Sequence, residues 1–313
     1  MILVGDVGGT NLRFALAEAS GGDWRFTRME QQATTPDIAG AIARYLESAG
    51  QPRLAAAALC GAGPVQANGS IRLVNADVLL DPAELAAAAR VPHALLVNDF
   101  AAVAHAIPRL PAAAFTSCGK GIAHPESPRI VLGPGTGLGV AVLAPTGDGW
   151  TVVPGEGGHA DLAPVDDEEL EVWQKLRAQL GRVSIEAVVS GPGLARLHAL
   201  LAPGRDLDAA AVADAAWRGD AAAERSVRLF TRWLGRIAGN LALTSAARGG
   251  IYIAGGIIPS WGSRFDAAAF RAAFEDKEPH SAWLRDIPSH VVHHPQPGLF
   301  GLAVLASQSL TAR

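Results

Sequence analysis

The apolar positions of this chain come in short runs that stop on glycine. Residues 2–11 read ILVGDVGGTN, and residues 131–140 read VLGPGTGLGV. Each is an apolar strand, a glycine-dense turn and a return into apolar sequence. The first predicts a β-hairpin with strands near 2–7 and 12–18. Farther on, Ile38, Ile42, Tyr45 and Leu46 fall on one helical face within 35–50. Residues 54–60 form an apolar strand that enters the loop Gly61-Ala62-Gly63-Pro64. Asp81-Pro82-Ala83-Glu84 opens a helix, with Asp as N-cap, Pro in the first turn and Glu at N3. A short buried strand over 94–97 ends on Asn98-Asp99.

Residues 108–128 are rich in Pro, Ala and Gly and predict a hinge, after which the same device recurs. Strands are expected over 129–133, 139–144 and 150–153. A helix over Asp166–Gly181 has acidic residues in its first turn and glycine past its end. A long helix spans 221–247, with Phe230, Trp233, Leu234, Ile237 and Leu241 on its buried face. Gly235 and Gly239, one turn apart on it, would let another backbone approach closely. A buried strand over 251–256 ends in a glycine pair, and from about Gly298 the pattern is helical again. That tail is expected to pack back on the first lobe. Alternating strands and helices in each half predict an α/β protein.

Composition narrows the function classes. The 313 residues allow two domains, and 49% hydrophobic against 18% charged residues gives ample core. A net charge of −4 makes no electrostatic case for nucleic acid or an anionic membrane. An anionic ligand would have to be met by local donors or a metal ion. Cys60 and Cys118 are the two cysteines, and neither belongs to a CxxC, so a cysteine-built zinc site is not expected. The first residues reach Asp6 at once and read as a strand rather than a signal peptide. No run approaches the ~20 apolar residues of a membrane span. A cytoplasmic enzyme is the expectation.

The glycine turns carry the first candidate chemistry. A missing Cβ lets backbone N–H groups approach phosphate. Gly5, Asp6, Val7, Gly8, Gly9, Thr10 and Asn11 add a carboxylate and a hydroxyl to such a turn. Asp6 could hold Mg²⁺, directly or through water. Gly133, Gly135, Thr136 and Gly137 form the second turn. Two other nucleotide devices are excluded: Gly119-Lys120 is followed by Gly121, so no GxxxxGK[ST] exists, and the alternating glycines of 133–139 lead into strand, not helix. Asn98-Asp99 sits where α/β proteins place ligand groups, with Asp99 suited to general base and Asn98 to orientation; a turn or helix N-cap is the alternative. Glu156 and His159 lie three apart in a Gly-rich loop that suits a polyhydroxylated ligand, against the alternative of a solvated loop. Glu186 could add another hydroxyl acceptor.

The chain resembles the bacterial glucokinases, the zinc-free, ATP-dependent hexose kinases of the sugar-kinase, heat-shock-ATPase and actin superfamily. The matching stretches are LVGDVGGTN (3–11), VNDFAAVAHAIP (97–108), GPGTGLGV (133–140), VPGEGGHADLAP (153–164), SGPGL (190–194), IAGGIIP (253–259) and FRAAFEDK (270–277). The resemblance implies a two-lobed ribonuclease H-like α/β fold: a small domain of 1–109 plus about 295–313, a large domain of 110–294, and a cleft that closes on the sugar. It implies ATP on the two glycine loops, with Gly255 and Gly256 against adenosine. It places glucose on Asn98, Asp99, Glu156, His159 and Glu186, with Asp99 as base for the sugar 6-hydroxyl. A homodimer using ATP and Mg²⁺ is expected. Repressor-type relatives carry a Cys-rich zinc motif that this chain lacks after Cys118, and no DNA-binding extension precedes Met1. The family usually has an aromatic residue three after the Asn matching Asn75; here it is Val78. Pro134 in the second loop is also less usual. The Val78 departure keeps another hexose (mannose, fructose or an amino sugar) open as substrate. A non-catalytic sugar sensor is the reading from a different class, and the presence of Asp6 and Asp99 speaks against it.

Overall fold

In the computed structural model, which describes residues 1–21, 23–73, 76–147 and 149–311, the first hairpin forms where the pattern places it. Strands β1 (Ile2–Val7) and β2 (Asn11–Ser20) pair antiparallel with Gly5 opposite Phe14. A Cβ on Gly5 would sit 2.9 Å from the Phe14 ring, so glycine here makes room for the core. A third strand, β3 (Asp23–Ala33), continues the antiparallel run. Little in the apolar pattern announces it, because only Trp24 and Phe26 of this edge strand pack partly on the core and the rest, with Arg25, Glu30 and Gln31, is polar. Helix α1 (Ile38–Ser48) starts at Asp37, whose side chain accepts from Gly40 N–H, and buries Ile38, Ala41, Ile42, Tyr45 and Leu46.

Strand β4 (Ala56–Gly61), the short β5 (Ile71–Arg72) and β6 (Leu79–Leu80), α2 (Pro82–Ala89), β7 (Ala94–Asn98) and α3 (Asp99–Ala106) follow. Asp81 caps α2 as expected, accepting from the backbone of Ala83 and Glu84. The sheet order is β3-β2-β1-β4-β7, with β1, β4 and β7 parallel. These elements belong to a unit made of Met1–Pro111 and His294–Arg313.

A second unit covers Ala112–His293. It contains β8 (Phe115–Ser117), β9 (Arg129–Pro134), β10 (Leu138–Thr146), β11 (Gly149–Gly155), α4 (Asp167–Leu180), α5 (Gly191–Leu201), α6 (Ala209–Trp217) and α7 (Ala221–Ser245). It ends with β12 (Ile251–Ile253), α8 (Ile257–Trp261), α9 (Ala267–Glu275), α10 (Ser281–Arg285) and β13 (Ser289–Val292). The sheet order is β11-β10-β9-β12-β13-β8. Helix α7 carries Phe230, Trp233 and Leu234 into the core, fully buried. Its glycines do what their spacing predicts: a Cβ on Gly239 would lie 2.6 Å from the Phe274 carbonyl, and Gly235 stands equally tight against Phe270, so α9 packs backbone to backbone. Two arginines of α7 grip α4, whose N-terminal turn offers Asp166, Glu168 and Glu169. Arg236 Nε donates to the wholly buried Glu169 at 2.8 Å, and Arg232 reaches Glu168 at 2.8 Å.

The last helix, α11 (Pro297–Thr311), lies in the first unit. Leu299, Leu302, Ala303 and Ala306 pack with Ala102 of α3 and with Val4, Ala58 and Cys60 of the sheet. The opposite sheet face buries Leu3, Phe14 and Leu59 under α1 and α2. Both units are α/β, as the alternation of elements predicts.

Candidate functional site

In the first unit the candidate residues gather at the C-terminal ends of the three parallel strands. The register sets Asp6 beside Cys60, and Cys60 beside Val97; one step on, Val7, Gly61 and Asn98 form the next row. The turn Gly8–Thr10 is closed by Gly8 N–H donating to Asn11 O at 2.9 Å. Thr34 braces it from outside, with its hydroxyl on Gly8 O at 2.7 Å and its N–H on Thr10 O at 3.0 Å. Thr10 and Asn11 are exposed and Gly9 half-buried, so this turn faces out with its backbone accessible. The Val7 side chain is in the core, and its backbone lies in the sheet between Leu12 and Gly61, so Val7 ends the strand on which the turn is mounted.

Cys60 lies beside Asp6 and within reach of the charge of Asp99. Its thiol donates to Asp6 Oδ1 at 3.6 Å. Burial, then the charges of Asp6 and Asp99, push the thiol well above its usual range, so it stays protonated and remains a donor. Burial also pushes the Asp6 carboxyl up, while the Cys60 hydrogen bond and the Arg13 charge oppose that rise. From the sequence, Cys60 enters only through the absence of a CxxC pair. The signal that could have found it is its place on the strand running into Gly61, beside the strand that bears Asp6.

Asn98 is 6% exposed and caps α3. Its Oδ1 accepts from Phe100 N–H at 2.9 Å and Ala101 N–H at 3.2 Å, and Nδ2 donates to Gly63 O at 3.2 Å. The capping alternative is therefore present in the structure. It also ties the Gly61–Pro64 loop to the strand end. Asp99 opens α3, and Phe100 N–H donates to its Oδ1 at 2.9 Å, which fixes the carboxylate at the helix N-terminus. Val78 is 3% exposed and packs in the core with Leu73 and Leu80. The aliphatic residue there is a core residue; Asn75, against which it was placed, lies outside the described residues.

In the second unit the glycines divide by physical role. Gly133 and Gly255 face each other: a Cβ on Gly133 would stand 2.5 Å from Ala254 C, and one on Gly255 2.5 Å from Pro134 O. Gly255 takes φ 79°, the left-handed region glycine favours. Thus the ends of β9 and β12 touch through bare backbone. Gly135 and Gly256 meet nothing within 4 Å and Thr136 is exposed, so these residues line open space. Beyond α8 a cavity of about 340 Å³ lies between Ala210, Asp214 and Trp217 of α6 and the Ser260–Arg264 segment. Trp217 stacks edge-on to Trp261, and Arg264 sits over the Trp217 ring.

The loop of Glu156 and His159 forms a short 3-10 turn, with His159 N–H on Glu156 O at 3.0 Å. Both side chains are exposed, His159 Nε2 lying 3.9 Å from Glu156 Oε2. Arg182 holds the loop from behind, donating to His159 O at 2.6 Å and to Asp161 Oδ1 at 2.7 Å. Glu186 is drawn into the same place: its N–H donates to Gly158 O, and its carboxylate accepts from Leu138 N–H at 2.8 Å. So Glu156, His159, Glu186 and the 135–138 turn are brought together within this unit, and Asp6, Asn98 and Asp99 within the other. Among the described residues no three His, Cys, Asp or Glu side chains gather as a metal cage. Mg²⁺ does not require one, since it keeps several waters and binds through one or two carboxylates plus substrate phosphates. Asp6 at the phosphate-type turn fits that donor set.

The comparisons with known proteins agree along the whole chain. The glucokinase family model matches residues 3–309. Glucokinase of Chromobacterium violaceum is 39% identical over 318 residues, covering 99% of this chain and 90% of that relative. Glucokinase of Pseudomonas paraeruginosa is 40% identical over 328 residues, covering 100% of this chain and 94% of the other. The crystal structure of glucokinase from an Antarctic psychrotroph superposes with a TM-score of 0.86 at 33% identity, covering 98% of each chain. The match takes in both glycine turns, the capped Asn98-Asp99 and the 156–186 cluster, and the chain belongs to the glucokinase family.

Proposed function

We infer that this chain transfers the γ-phosphoryl group of ATP to the 6-hydroxyl of D-glucose. The observation that carries the reading is the gathering of Asp6, Cys60 and Asn98-Asp99 at the C-terminal ends of adjacent parallel strands, with an exposed glycine turn beside them. An anion-binding turn and a fixed carboxylate on one sheet edge are what phosphoryl transfer to an alcohol needs. In the proposed reaction Asp99 accepts the proton of the sugar hydroxyl, and the freed oxygen attacks the γ-phosphorus while ADP leaves. Asn98 holds α3, and hence Asp99, in register and keeps an amide proton for the sugar. Glu156, His159 and Glu186 bind the remaining hydroxyls. The Gly8–Thr10 and Gly135–Gly137 turns bind phosphate oxygens through backbone N–H groups. Gly255 and Gly256 take adenosine against bare backbone, and the cavity beside Trp217, on the far side of α8, offers a concave, partly aromatic surface of suitable size for its base. Asp6 would hold Mg²⁺, directly or through water, and the ion would neutralise phosphate charge.

The family also carries the expectation of a cytoplasmic homodimer. Among the described residues no helix is long and apolar enough to cross a membrane. Sedimentation of the purified protein reads the oligomeric state.

The test is ADP release across a hexose panel with wild type and Asp99→Asn. Glucose-dependent release, reduced about 10²- to 10⁴-fold in Asp99→Asn, supports the reading. No turnover with any hexose would end the kinase reading, and full activity in Asp99→Asn would end the base assignment. Preference for mannose, fructose or an amino sugar over glucose would replace the substrate.

A further inference from the structure

Glu186 stands where two loops with different tasks meet. Its backbone N–H donates to Gly158 O at 2.8 Å, in the loop that carries Glu156 and His159. Its Oε2 accepts from Leu138 N–H at 2.8 Å, at the residue that follows the Gly135–Gly137 turn. The two loops also abut directly. A Cβ on Gly158 would stand 3.1 Å from Leu138 Cβ and closer still to the Leu138 carbonyl oxygen. Gly137 is packed against the same Oε2, so any side chain there would displace the carboxylate. On the other side of the turn, Gly191 N–H donates to Gly135 O at 2.7 Å. One hydrogen-bonded path therefore runs from the His159 loop through Glu186 and the turn to the start of α5. Oε1 has no hydrogen-bond partner among the described residues and is the oxygen left to accept from a ligand.

The charge on this path has a consequence. A carboxylate bonded to an anion-binding turn opposes the arrival of phosphate on that turn. Hydroxyls that donate to Oε1 spread its charge and fix its rotamer, which lowers the repulsion and orders the turn. Phosphate on the turn, in return, favours the state in which Glu186 is hydrogen-bonded. The sign is positive in both directions, and linkage requires the two factors to be equal.

Resting on the substrate assignment made above, we propose that Glu186 couples the two substrates: sugar hydroxyls on its carboxylate raise the affinity of the Gly135–Gly137 turn for nucleotide phosphate through Leu138, and nucleotide raises sugar affinity by the same factor. Toward the sugar Glu186 is a ligand; toward the nucleotide it is a positioning residue.

The test is calorimetric titration of glucose into the full chain with and without magnesium AMPPNP, and the reciprocal titration. Wild type should bind glucose about 5- to 150-fold more tightly with the nucleotide present. Glu186→Ala should weaken glucose and bring that ratio to about one. Glu186→Gln, whose amide oxygen still accepts from Leu138 N–H, should restore part of the ratio. Glu156→Gln should weaken glucose and keep the wild-type ratio. The Leu138 amide resonance should move when glucose alone is added to wild type, and stay in place in Glu186→Ala. Absence of any glucose binding overturns the substrate assignment, and the coupling with it. Glucose binding with a ratio of one in wild type, or an unchanged ratio in Glu186→Ala, overturns the coupling alone.

Discussion

Gly301→Ala should disable catalysis from the far side of the helix that bears Asp99. Gly301 of α11 lies against α3. A Cβ there would stand far inside contact distance of the Ala102 carbonyl oxygen, 2.9 Å from Ala102 C and 3.0 Å from Ala106 N. All three are backbone atoms, so no side chain can swing aside. Reaching an ordinary carbon–oxygen contact requires the two helices to part by roughly 1.5 Å. Overpacking of this kind costs about 1–3 kcal/mol. The gain in helix propensity from Gly to Ala returns up to about 1 kcal/mol, so the expected net loss is about 1–2 kcal/mol. At roughly 2–4 °C per kcal/mol for a unit of this size, Tm should fall by about 2–8 °C. Catalysis should fall further than stability. Ala102 is one turn from Asp99, and a misplacement of about 1 Å costs on the order of 10²-fold in rate. Sharing the displacement between α11 and α3 leaves an expected loss of about 10- to 100-fold in kcat. Gly298→Ala is the control: it lies in the same helix with nothing within 4 Å of its Cβ, and Tm and kcat should stay near wild type. Calorimetry and steady-state ADP release read both quantities. Wild-type Tm and kcat in Gly301→Ala would refute the claim that α11 sets the position of α3.

Two further outcomes follow from buried charge. Arg236→Met removes a donor from Glu169, which is wholly buried and otherwise held by Val165 N–H and Arg232; the expected cost is about 3 kcal/mol in urea unfolding. The double variant Glu169→Met with Arg236→Met should be less destabilised than the single one, and the reverse order would refute the account. Burial holds His105, His290 and His294 below the usual histidine range. The unfolded chain therefore takes up protons first as pH falls below about 6.5, and stability present above that pH is lost toward the depressed folded values. The urea midpoint should drop between about pH 7.5 and about pH 5.5, with a shallower slope in His105→Gln; a flat wild-type profile would contradict it.

How far the sequence reached depended on whether a residue acts locally. Asp81, Asp166 and Gly181 mark helix ends because a cap is a contact between residues two to four apart. Gly235 and Gly239 could be read as a close-packing face from their spacing alone, although α9 as the partner could not. Strand β3 escaped because it buries too little to alternate. The sheet order of the second unit was out of reach for a different reason. Strand β12 enters between β9 and β13, and no local preference encodes which distant strands pair. The glycine turns were found for a reason that holds only in part. Left-handed backbone explains Gly255, whereas Gly133 is glycine because another backbone occupies the place of its side chain.

The candidate site shows the same division at finer grain. Asn98-Asp99 was legible as a pair because a strand end followed by polar residues is a local pattern. Both of its readings are realised in one geometry: Asn98 caps α3, and the cap holds the adjacent carboxylate. A residue that fixes a helix start is for that reason well suited to fix the group on the helix's first turn, so capping and substrate orientation are not competing explanations. Glu186 and Cys60 were weak or silent in sequence because their meaning lies in partners 48 and 54 residues away. Each is tied to a residue beside a glycine turn, Leu138 in one unit and Asp6 in the other. The two units thus reach the same arrangement independently: an exposed glycine turn whose neighbouring backbone or carboxylate is held by a side chain from another strand or loop. A turn intended to meet phosphate cannot be stiffened by its own side chains, since it has almost none. Its rigidity has to come from neighbours, and those neighbours are where substitutions outside the recognisable motifs should cost the most activity for the least loss of stability.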